Sequence, residues 1–485
     1  MAYVAIFFQR FLIFYFAALT LIYILINISA YFHVRKYLEH HRLHYELPRF
    51  FSGFEPWVSI LVPAYNEEST VVNAAHALLQ LFYPHYEVII INDGSNDDTL
   101  EVLKNEFKLI PFPEIYGEYL KTSQVRGIYY STEFPKLRVI DKENAGKADA
   151  LNAGINLSRG SLICSIDSDS VLSRDSLIRI VQPFLEDPTT VATGGQVRIL
   201  NGCEVQGGRI TKVGLPKNLL ALFQVVEYLR AFLFGRIGWS PLNAVGIISG
   251  AFGLFDKETV INVGGYKKGT VGEDMELVLR IHRVMRQEKK RYRIAHVPDP
   301  ICWTEVPEDL GSLKTQRIRW QRGLAESLTM NIKLLFNPSA GTIGWLSFPF
   351  MVIFELLSPI VEAGGFIFLL LAVFFHFLSL ASFLVYLFVA FGSGMLLSAT
   401  GILLEEITFH VYKDFKSIFV LFGASLLETP FYRIINSFWR LIGLFQWLFG
   451  TKSGWGKIKR KPRQKAQPAS PAPSIPPTPA TGSVS

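Results

Sequence analysis

From Phe11 to Tyr31 the chain runs without a single charged side chain. About 20 apolar residues in a helix match the hydrocarbon thickness of a bilayer, so this stretch restricts the chain to folds built on a membrane anchor. Arg35, Lys36 and Arg42 follow directly, which puts that end inside by the positive-inside rule. The length of the apolar run, with only Arg10 before it, reads as an uncleaved anchor and not as a signal peptide. The cluster His40-His41-x-x-His44 has no cysteine or clear carboxylate at ligand spacing. It reads as a polar juxtamembrane stretch and not as a metal site.

Apolar character returns after Asn337. Ile343–Phe375 is too long for one straight span and is interrupted by Pro349, Pro359 and Gly364-Gly365, so an interfacial helix joined to a spanning one is expected. Leu380–Leu404 reads as a clear span and Ser417–Ile434 as a third. Seven basic residues lie between Lys452 and Lys465, and no acid follows Glu428, leaving 41 basic against 41 acidic residues elsewhere. The basicity is therefore a local tag that suits anionic lipid on the inner face and gives no support for nucleic-acid binding. Keeping that tag inside requires a fourth crossing or a re-entrant stretch at Ile435–Gly450. From Ala466 the chain is mostly Pro, Ala, Ser and Thr, a composition that cannot form a core. Three cysteines, far apart, exclude a disulfide framework and a zinc site.

Between the apolar ends, Pro56 to about Asn337 has the composition of a soluble α/β domain. Strands are expected at Val58–Val62, Tyr86–Ile91, Leu137–Ile140 and Ser161–Ile166. Helices are expected at Glu68–Phe82, Asn96–Asn105 and about Lys147–Leu157. That alternation predicts a mainly parallel sheet with helices on both faces, while Phe107–Lys136 reads as a long insertion. The chain thus divides into an anchor and juxtamembrane segment (1–50), an α/β domain (51–337), membrane and interfacial helices (338–450) and a basic, then Pro/Ala/Ser-rich tail (451–485).

The candidate chemistry hangs from the strand ends. Leu162–Ile166 is a short apolar run that stops at Asp167-Ser168-Asp169, at the carboxyl edge where open α/β sheets bind ligands. Two hard oxygen donors at i and i+2 suit Mg²⁺ or Mn²⁺ bridging a diphosphate, against the plainer reading of an acidic turn. Pro63-Ala64-Tyr65-Asn66-Glu67 ends the first strand and Asn92-Asp93-Gly94-Ser95 the second. Tyr65 and Asp93 are the types that hold a nucleotide base, although Asn-Asp-Gly is also a common turn. Asn144-Ala145-Gly146-Lys147 opens a helix, where free N–H groups and an ammonium suit a phosphate or simply cap the helix. Gly272-Glu273-Asp274 opens another and offers a general base or an ordinary acidic start. Gln316-Arg317-Ile318-Arg319-Trp320 lies among Lys314, Arg317, Arg319 and Arg322. It reads as a solvated helix face, or as a site where Arg319 meets a departing diphosphate and Trp320 a sugar face.

Taken together, Asp93, Asp167-x-Asp169, Glu273-Asp274 and Gln316-x-x-Arg319-Trp320 resemble the motif series of processive family-2 glycosyltransferases, the cellulose, hyaluronan, chitin and poly-N-acetylglucosamine synthases. The pattern is most similar to bacterial poly-N-acetylglucosamine synthase-like proteins, over about residues 55–330 and the flanking spans. The resemblance implies a GT-A nucleotide-sugar domain inserted between an N-terminal transmembrane helix and a C-terminal bundle, on the cytoplasmic face of the plasma (inner) membrane. It implies that Tyr65, Glu67 and Asp93 hold uridine and that Lys147 holds the diphosphate. Asp167 then serves nucleotide and metal, with Asp169 the firmer ligand of Mg²⁺ or Mn²⁺. Asp274 is the implied base, and Gln316, Arg319 and Trp320 frame the acceptor. The implied partners are a UDP-sugar, a growing polysaccharide or lipid acceptor, membrane lipids, and secretion or regulatory subunits.

Two departures stand out. Many relatives have Thr where this chain has Gly272, and no cyclic-dinucleotide domain follows the spans, which makes cellulose a poorer candidate. Gln-x-x-Arg-Trp favours chain elongation, but ceramide glucosyltransferases share a similar pattern, so single addition to a lipid stays open. A membrane receptor or scaffold that keeps the fold without the chemistry is the non-enzyme alternative. Glu355 and Glu362, seven apart in an apolar segment, either line a path for polymer hydroxyls or reach headgroup water.

Overall fold

A computed structural model describes residues 2–46, 53–375 and 379–450. The basic tag and the Pro/Ala/Ser-rich end lie outside the described residues, as do the side chains of His40, His41 and His44.

Among the described residues, twelve strands form in chain order: β1 (Val58–Ala64), β2 (Tyr86–Asp93), β3 (Leu109–Pro111), β4 (Val125–Ser131), β5 (Leu137–Lys142), β6 (Leu162–Ile166), β7 (Val171–Leu172), β8 (Thr190–Ile199), β9 (Glu204–Gln206), β10 (Arg209–Lys212), β11 (Phe252–Asp256) and β12 (Arg293–Thr304). Ten make one sheet in the order β3-β4-β5-β2-β1-β6-β11-β8-β12-β7, and β9 and β10 pair as a separate hairpin. The middle is parallel, with β5, β2, β1 and β6 side by side and Val58 opposite both Tyr86 and Leu162. These strands are continuous apolar runs such as Val-Ser-Ile-Leu-Val because helices cover both faces of the sheet. Burying a residue such as Ile60 or Ile90 from water contributes roughly 2 kcal/mol. With the register in phase, the ends of β1, β2 and β6 arrive at one edge, and this is what gathers the motifs.

Away from the middle the directions are mixed. β11 runs antiparallel to both β6 and β8, β12 is parallel to β8, and β7 pairs antiparallel with β12. The stretch Phe107–Lys136, expected as an insertion, instead extends the sheet through β3 and β4, paired antiparallel at its edge. Most of β4 is only half-buried, so its residues lack the apolar run that marks the central strands.

Helix Ala2–Glu46 carries the first apolar run. Among the described residues, four helical runs are long and apolar enough to cross a membrane: Ile6–Glu39, Ile343–Phe374, Ala381–Thr408 and Phe415–Leu448. The run Ile343–Phe374 is interrupted as expected: π-turns at Ile343–Ser347 and Met351–Leu356 lead to a bend at Leu357, two residues before Pro359, and helix Ser358–Phe374 follows. One expectation is corrected here. Ser417–Gly450 does not divide into a third span and a separate fourth. Phe415–Leu448 is a single helix with a π-turn at Glu428–Arg433, its first half packed on helix Leu219–Tyr228 and its second on helix Leu310–Met330.

The apolar helices are tied to one another and to the sheet. The Tyr15 hydroxyl donates to the Ile353 carbonyl (3.0 Å) and the Asn27 amide to Thr400 Oγ1 (3.3 Å). A buried Arg198–Glu405 ion pair joins the end of β8 to helix Ser393–Thr408.

Candidate active site

At the end of β2 the Asp93 carboxylate is enclosed. Its Oδ1 accepts from Lys142 Nζ (2.5 Å) and the Ala145 N–H (3.1 Å), and its Oδ2 accepts from the Gly146 N–H (2.8 Å). Asp93 and Lys142 are register partners on adjacent parallel strands, so the sheet itself sets their distance. Lys142 is fully buried and also pairs with the buried Asp149 at 2.8 Å. Burial raises the Asp149 carboxyl, but hydrogen bonds from Lys142 and Lys268 outweigh it and hold the group down at about 2. Asp93 thus pins the Asn144–Lys147 loop, with the Asn144 amide donating back to its carbonyl (2.7 Å). Gly94 sits at φ +66° where a Cβ would lie 2.6 Å from the Asn144 nitrogen, so the two loops meet only because position 94 has no side chain.

Lys147 begins helix Lys147–Leu157 and reaches Asp167 at 2.5 Å and Glu273 at 3.4 Å. Burial opposes its charge, but the carboxylates of Asp167 and Glu273 outweigh burial and push its pKa up. Glu273 is raised by burial, with Lys147 opposing and Asp274 adding. The Asp167–Ser170 turn, closed by the Ser170 N–H on the Asp167 carbonyl (3.0 Å), holds both aspartates half-buried beyond β6.

Asp274 lies in the first turn of helix Glu273–Gln287. Its Oδ2 accepts from the Gly250 N–H (2.9 Å) and its Oδ1 from the Met275 N–H (2.8 Å). A Cβ at Gly250 would stand 2.7 Å from Lys147 Nζ, so the loop before β11 packs directly against the site. Gly272 is in backbone contact with Gly323 of helix Leu310–Met330, where a Cβ would be 2.8 Å from the Gly323 carbonyl oxygen. The departure from Thr thus lets the two helices that carry Asp274 and Trp320 approach closely.

Helix Leu310–Met330 brings Gln316, Arg319 and Trp320 to the same space, with Trp320 38 % exposed. The reading of this stretch as a solvated face is corrected at Arg317, which is 3 % exposed. Its guanidinium pairs with Glu227 (2.7 Å), donates to the Tyr432 hydroxyl (2.9 Å) and lies 4.4 Å from the Trp320 ring centroid. The neighbouring cation fixes the position of the ring, part of which stays exposed to the cavity.

All ten of the sequence-derived residues line one cavity of about 3310 Å³: Tyr65, Glu67, Asp93, Lys147, Asp167, Asp169, Asp274, Gln316, Arg319 and Trp320. The cavity continues past Phe350 and Phe354 to Glu355, Glu362, Arg433 and Arg440 among the apolar helices. Glu355 and Glu362 therefore face a cavity. Arg433 pairs with Glu362 at 2.7 Å, and Ser437 donates to the same carboxylate. Arg440 donates to Gln321 Oε1 (2.8 Å) and to the Glu355 carbonyl (2.5 Å), linking the helix of Trp320 to the membrane part.

Sequence reasoning missed Lys142 and Glu227, and it did not connect Gly250 to Asp274, because these roles arise from pairing distant in the chain. It also missed Tyr228, Phe232 and Arg236, which line the cavity and whose spacing of four was readable.

The donor set suits a hard divalent ion. Asp167 and Asp169 offer carboxylate oxygens, and among the described residues no group of three His, Cys, Asp or Glu forms a closed metal cage. Magnesium-type sites are commonly of this kind, with one or two carboxylates and the substrate phosphates completing the shell.

Two family profiles match the chain: Glycosyl transferase family 2 over residues 59–211 and Glycosyl transferase family group 2 over residues 162–394. The chain is 32% identical over 274 residues to the poly-beta-1,6-N-acetyl-D-glucosamine synthase of Staphylococcus aureus, covering 56% of this chain and 55% of the relative. The Staphylococcus epidermidis synthase of the same name matches at 32% over 273 residues, with the same shares covered. The chain thus spans about half the length of the curated relatives it matches. Among solved structures, a mannosyltransferase from Pyrobaculum calidifontis aligns with TM-score 0.51 and 18% identity, over 91% of this chain and all of that one, and shows a shared fold. The α/β domain carries family-2 glycosyltransferase sequence, within the matched residues 59–211 and 162–394, has a GT-A fold, is set among apolar helices and is similar to part of the staphylococcal synthases.

Proposed function

We propose that the protein transfers a sugar, N-acetylglucosamine by preference, from its UDP conjugate to the end of a growing β-linked polysaccharide, and passes the product between its apolar helices. The observation that carries this reading is the single cavity. It holds the strand-end motifs, Asp274 and the Gln316–Trp320 helix, and it extends to Glu362 and Arg433 in the membrane part. The name of the staphylococcal relatives supports the choice of sugar.

In this reading Tyr65, Glu67 and Asp93 receive uridine, and Lys147 the diphosphate. Asp167 and Asp169 would hold Mg²⁺ or Mn²⁺, which when bound neutralises charge on the leaving diphosphate. The GT-A-like mannosyltransferase is itself described in complex with GDP-Man and Mn²⁺, which supports metal use. Asp274, oriented by the Gly250 N–H, takes the proton of the acceptor hydroxyl as its oxygen attacks the anomeric carbon. One displacement inverts the centre, so an α-linked donor gives a β-linked product. Lys147 and Arg319 stabilise the departing UDP, and Trp320 supports the acceptor ring. The α/β domain then faces the cytoplasm, where Arg35 and Lys36 place the end of the first span.

Single addition to a membrane lipid is the second reading. Glu362, Arg433 and Ser437 also border a small apolar pocket of about 60 Å³ lined by Phe16, Phe366 and Tyr386, beside the helices a lipid would touch. The deciding experiment is UDP release by nanodisc-held protein across a panel of UDP-sugars, with and without chelator, and with the product sized by mass. A ladder from UDP-N-acetylglucosamine supports the polymer reading, one added sugar on lipid supports the second, and no release with any donor refutes both.

A further inference from the structure

Arg236 lies in the short helical turn Gly235–Ile237, after a π-helical stretch at Leu229–Phe234. It is 9 % exposed and lines the cavity. Among the described residues its guanidinium makes no hydrogen bond or ion pair, and Nη1 is closed off from solvent without a partner. The Phe232 ring lies beneath it, its centroid 3.8 Å from the guanidinium carbon. Its neighbours along the cavity differ. Arg230 pairs with Glu428, Arg317 with Glu227 and Arg433 with Glu362, while Arg440 donates to Gln321. A buried guanidinium with unused donors is costly, since such groups are normally hydrogen-bonded. Its retention on the cavity wall points to an acceptor supplied from outside the chain.

The surroundings narrow the chemistry of that acceptor. Asp274 and Glu355 are the carboxylates that act electrostatically on Arg236, one the proposed base and the other in the membrane part of the same cavity. An anionic ligand would be repelled by these groups, whereas a neutral oxygen would not. Tyr228, Phe232 and Arg236 follow at spacings of four, with the Tyr228 and Phe232 ring centroids 4.4 Å apart. Aromatic faces followed by a donor suit the C–H face and oxygens of a pyranose ring.

We propose that Arg236 is an acceptor-binding residue whose guanidinium donates to a neutral oxygen, hydroxyl or acetamido carbonyl, of a sugar behind the reacting end of the glycan, with Phe232 beneath it. This rests on the reading of the cavity as a glycan acceptor site.

The test is equilibrium binding of a β-1,6-linked N-acetylglucosamine tetrasaccharide to the full chain in nanodiscs, for the wild type, Arg236→Met and Arg236→Lys. UDP affinity and Tm are measured alongside. Arg236→Met should weaken tetrasaccharide binding about tenfold or more, the loss of a hydrogen bond from a charged donor. It should leave UDP affinity within about twofold and Tm unchanged or higher, because an unpaired buried charge has been removed. Arg236→Lys should fall between. A β-linked glucose tetrasaccharide weakened equally assigns the contact to a hydroxyl, and an effect on the acetylated sugar alone assigns it to the carbonyl. Unchanged tetrasaccharide affinity in Arg236→Met, or no tetrasaccharide binding by the wild type, overturns the proposal. So does joint loss of UDP binding, sugar binding and Tm, the mark of a structural role. Arg236-dependent sugar binding by a protein that releases no UDP would refute the transfer reading and leave this one standing.

Discussion

Replacing Gly272 by Ala tests how closely the helices of Asp274 and Trp320 must approach. The new Cβ would lie 2.8 Å from the Gly323 carbonyl oxygen and 3.0 Å from its carbon and Cα. These are backbone atoms that cannot swing aside. Ordinary contact begins near 3.4 Å, so the Glu273–Gln287 and Leu310–Met330 helices must part by about 0.5 Å. Overpacking of this kind costs about 1–3 kcal/mol. The same shift moves Asp274 relative to Arg319 and Trp320. A misplacement of about 1 Å costs on the order of 100-fold in rate, so half of that predicts about a tenfold fall in kcat. Gly272→Thr, the residue many relatives carry, should do worse here because Gly323 has no room to give. The assay is UDP release under saturating donor, with Tm measured in the same nanodiscs. Wild-type kcat and Tm in Gly272→Ala would refute the claim that this contact sets the geometry of the site.

Other outcomes follow from the same contacts. Asp274→Asn should keep UDP affinity but lower transfer by about 10²–10⁴, the range for loss of a general base, as read by UDP release. Lys142→Met leaves the Asp93 and Asp149 carboxylates buried without their shared cation, a loss of about 3–5 kcal/mol that should lower Tm by roughly 10 °C. Because the Asn144–Lys147 loop loosens with it, KM for the donor should also rise. Asp149 is held at about 2 in the folded domain against an unfolded value near 3.8, so its contribution is fully present above about pH 4 and lost as pH falls through 2. That contribution is roughly 2–3 kcal/mol, and Lys268→Met should show a stability gap from wild type at pH 6 that closes on acidification. A gap independent of pH would show that Lys268 acts by packing alone.

The legible part of the site is the part written locally. Asp93, Asp167, Asp169 and Lys147 sit where apolar strand runs end or a helix begins, and those signals need only a few neighbouring residues. Asp274 and Trp320 announced themselves by motif, yet nothing near them in sequence reveals that Gly250 orients the one or that Arg317 supports the other. Arg317 shows the limit well, since a basic residue among three others on a helix looks solvated until Glu227 and Tyr432 enclose it.

The membrane part repeats the pattern. Apolar length alone marked where helices run, because a bilayer core needs about 20 such residues whatever they pack against. It did not show that Phe415–Leu448 is one helix, because a π-turn and packing on the α/β domain decide helix continuity.

What the sequence by itself determined is the strand–helix alternation, the apolar helices and the order of the acidic motifs, all consequences of periodicity and composition over short windows. What only the tertiary structure decided is that the motif residues share a cavity with Glu362 and Arg433, and that Gly272 and Gly323 meet backbone to backbone. It also decided that Arg236 stands unpaired on the cavity wall. The reason is physical: an ion pair, a close approach or an unused donor is a relation between segments brought together by folding, and no single segment contains it.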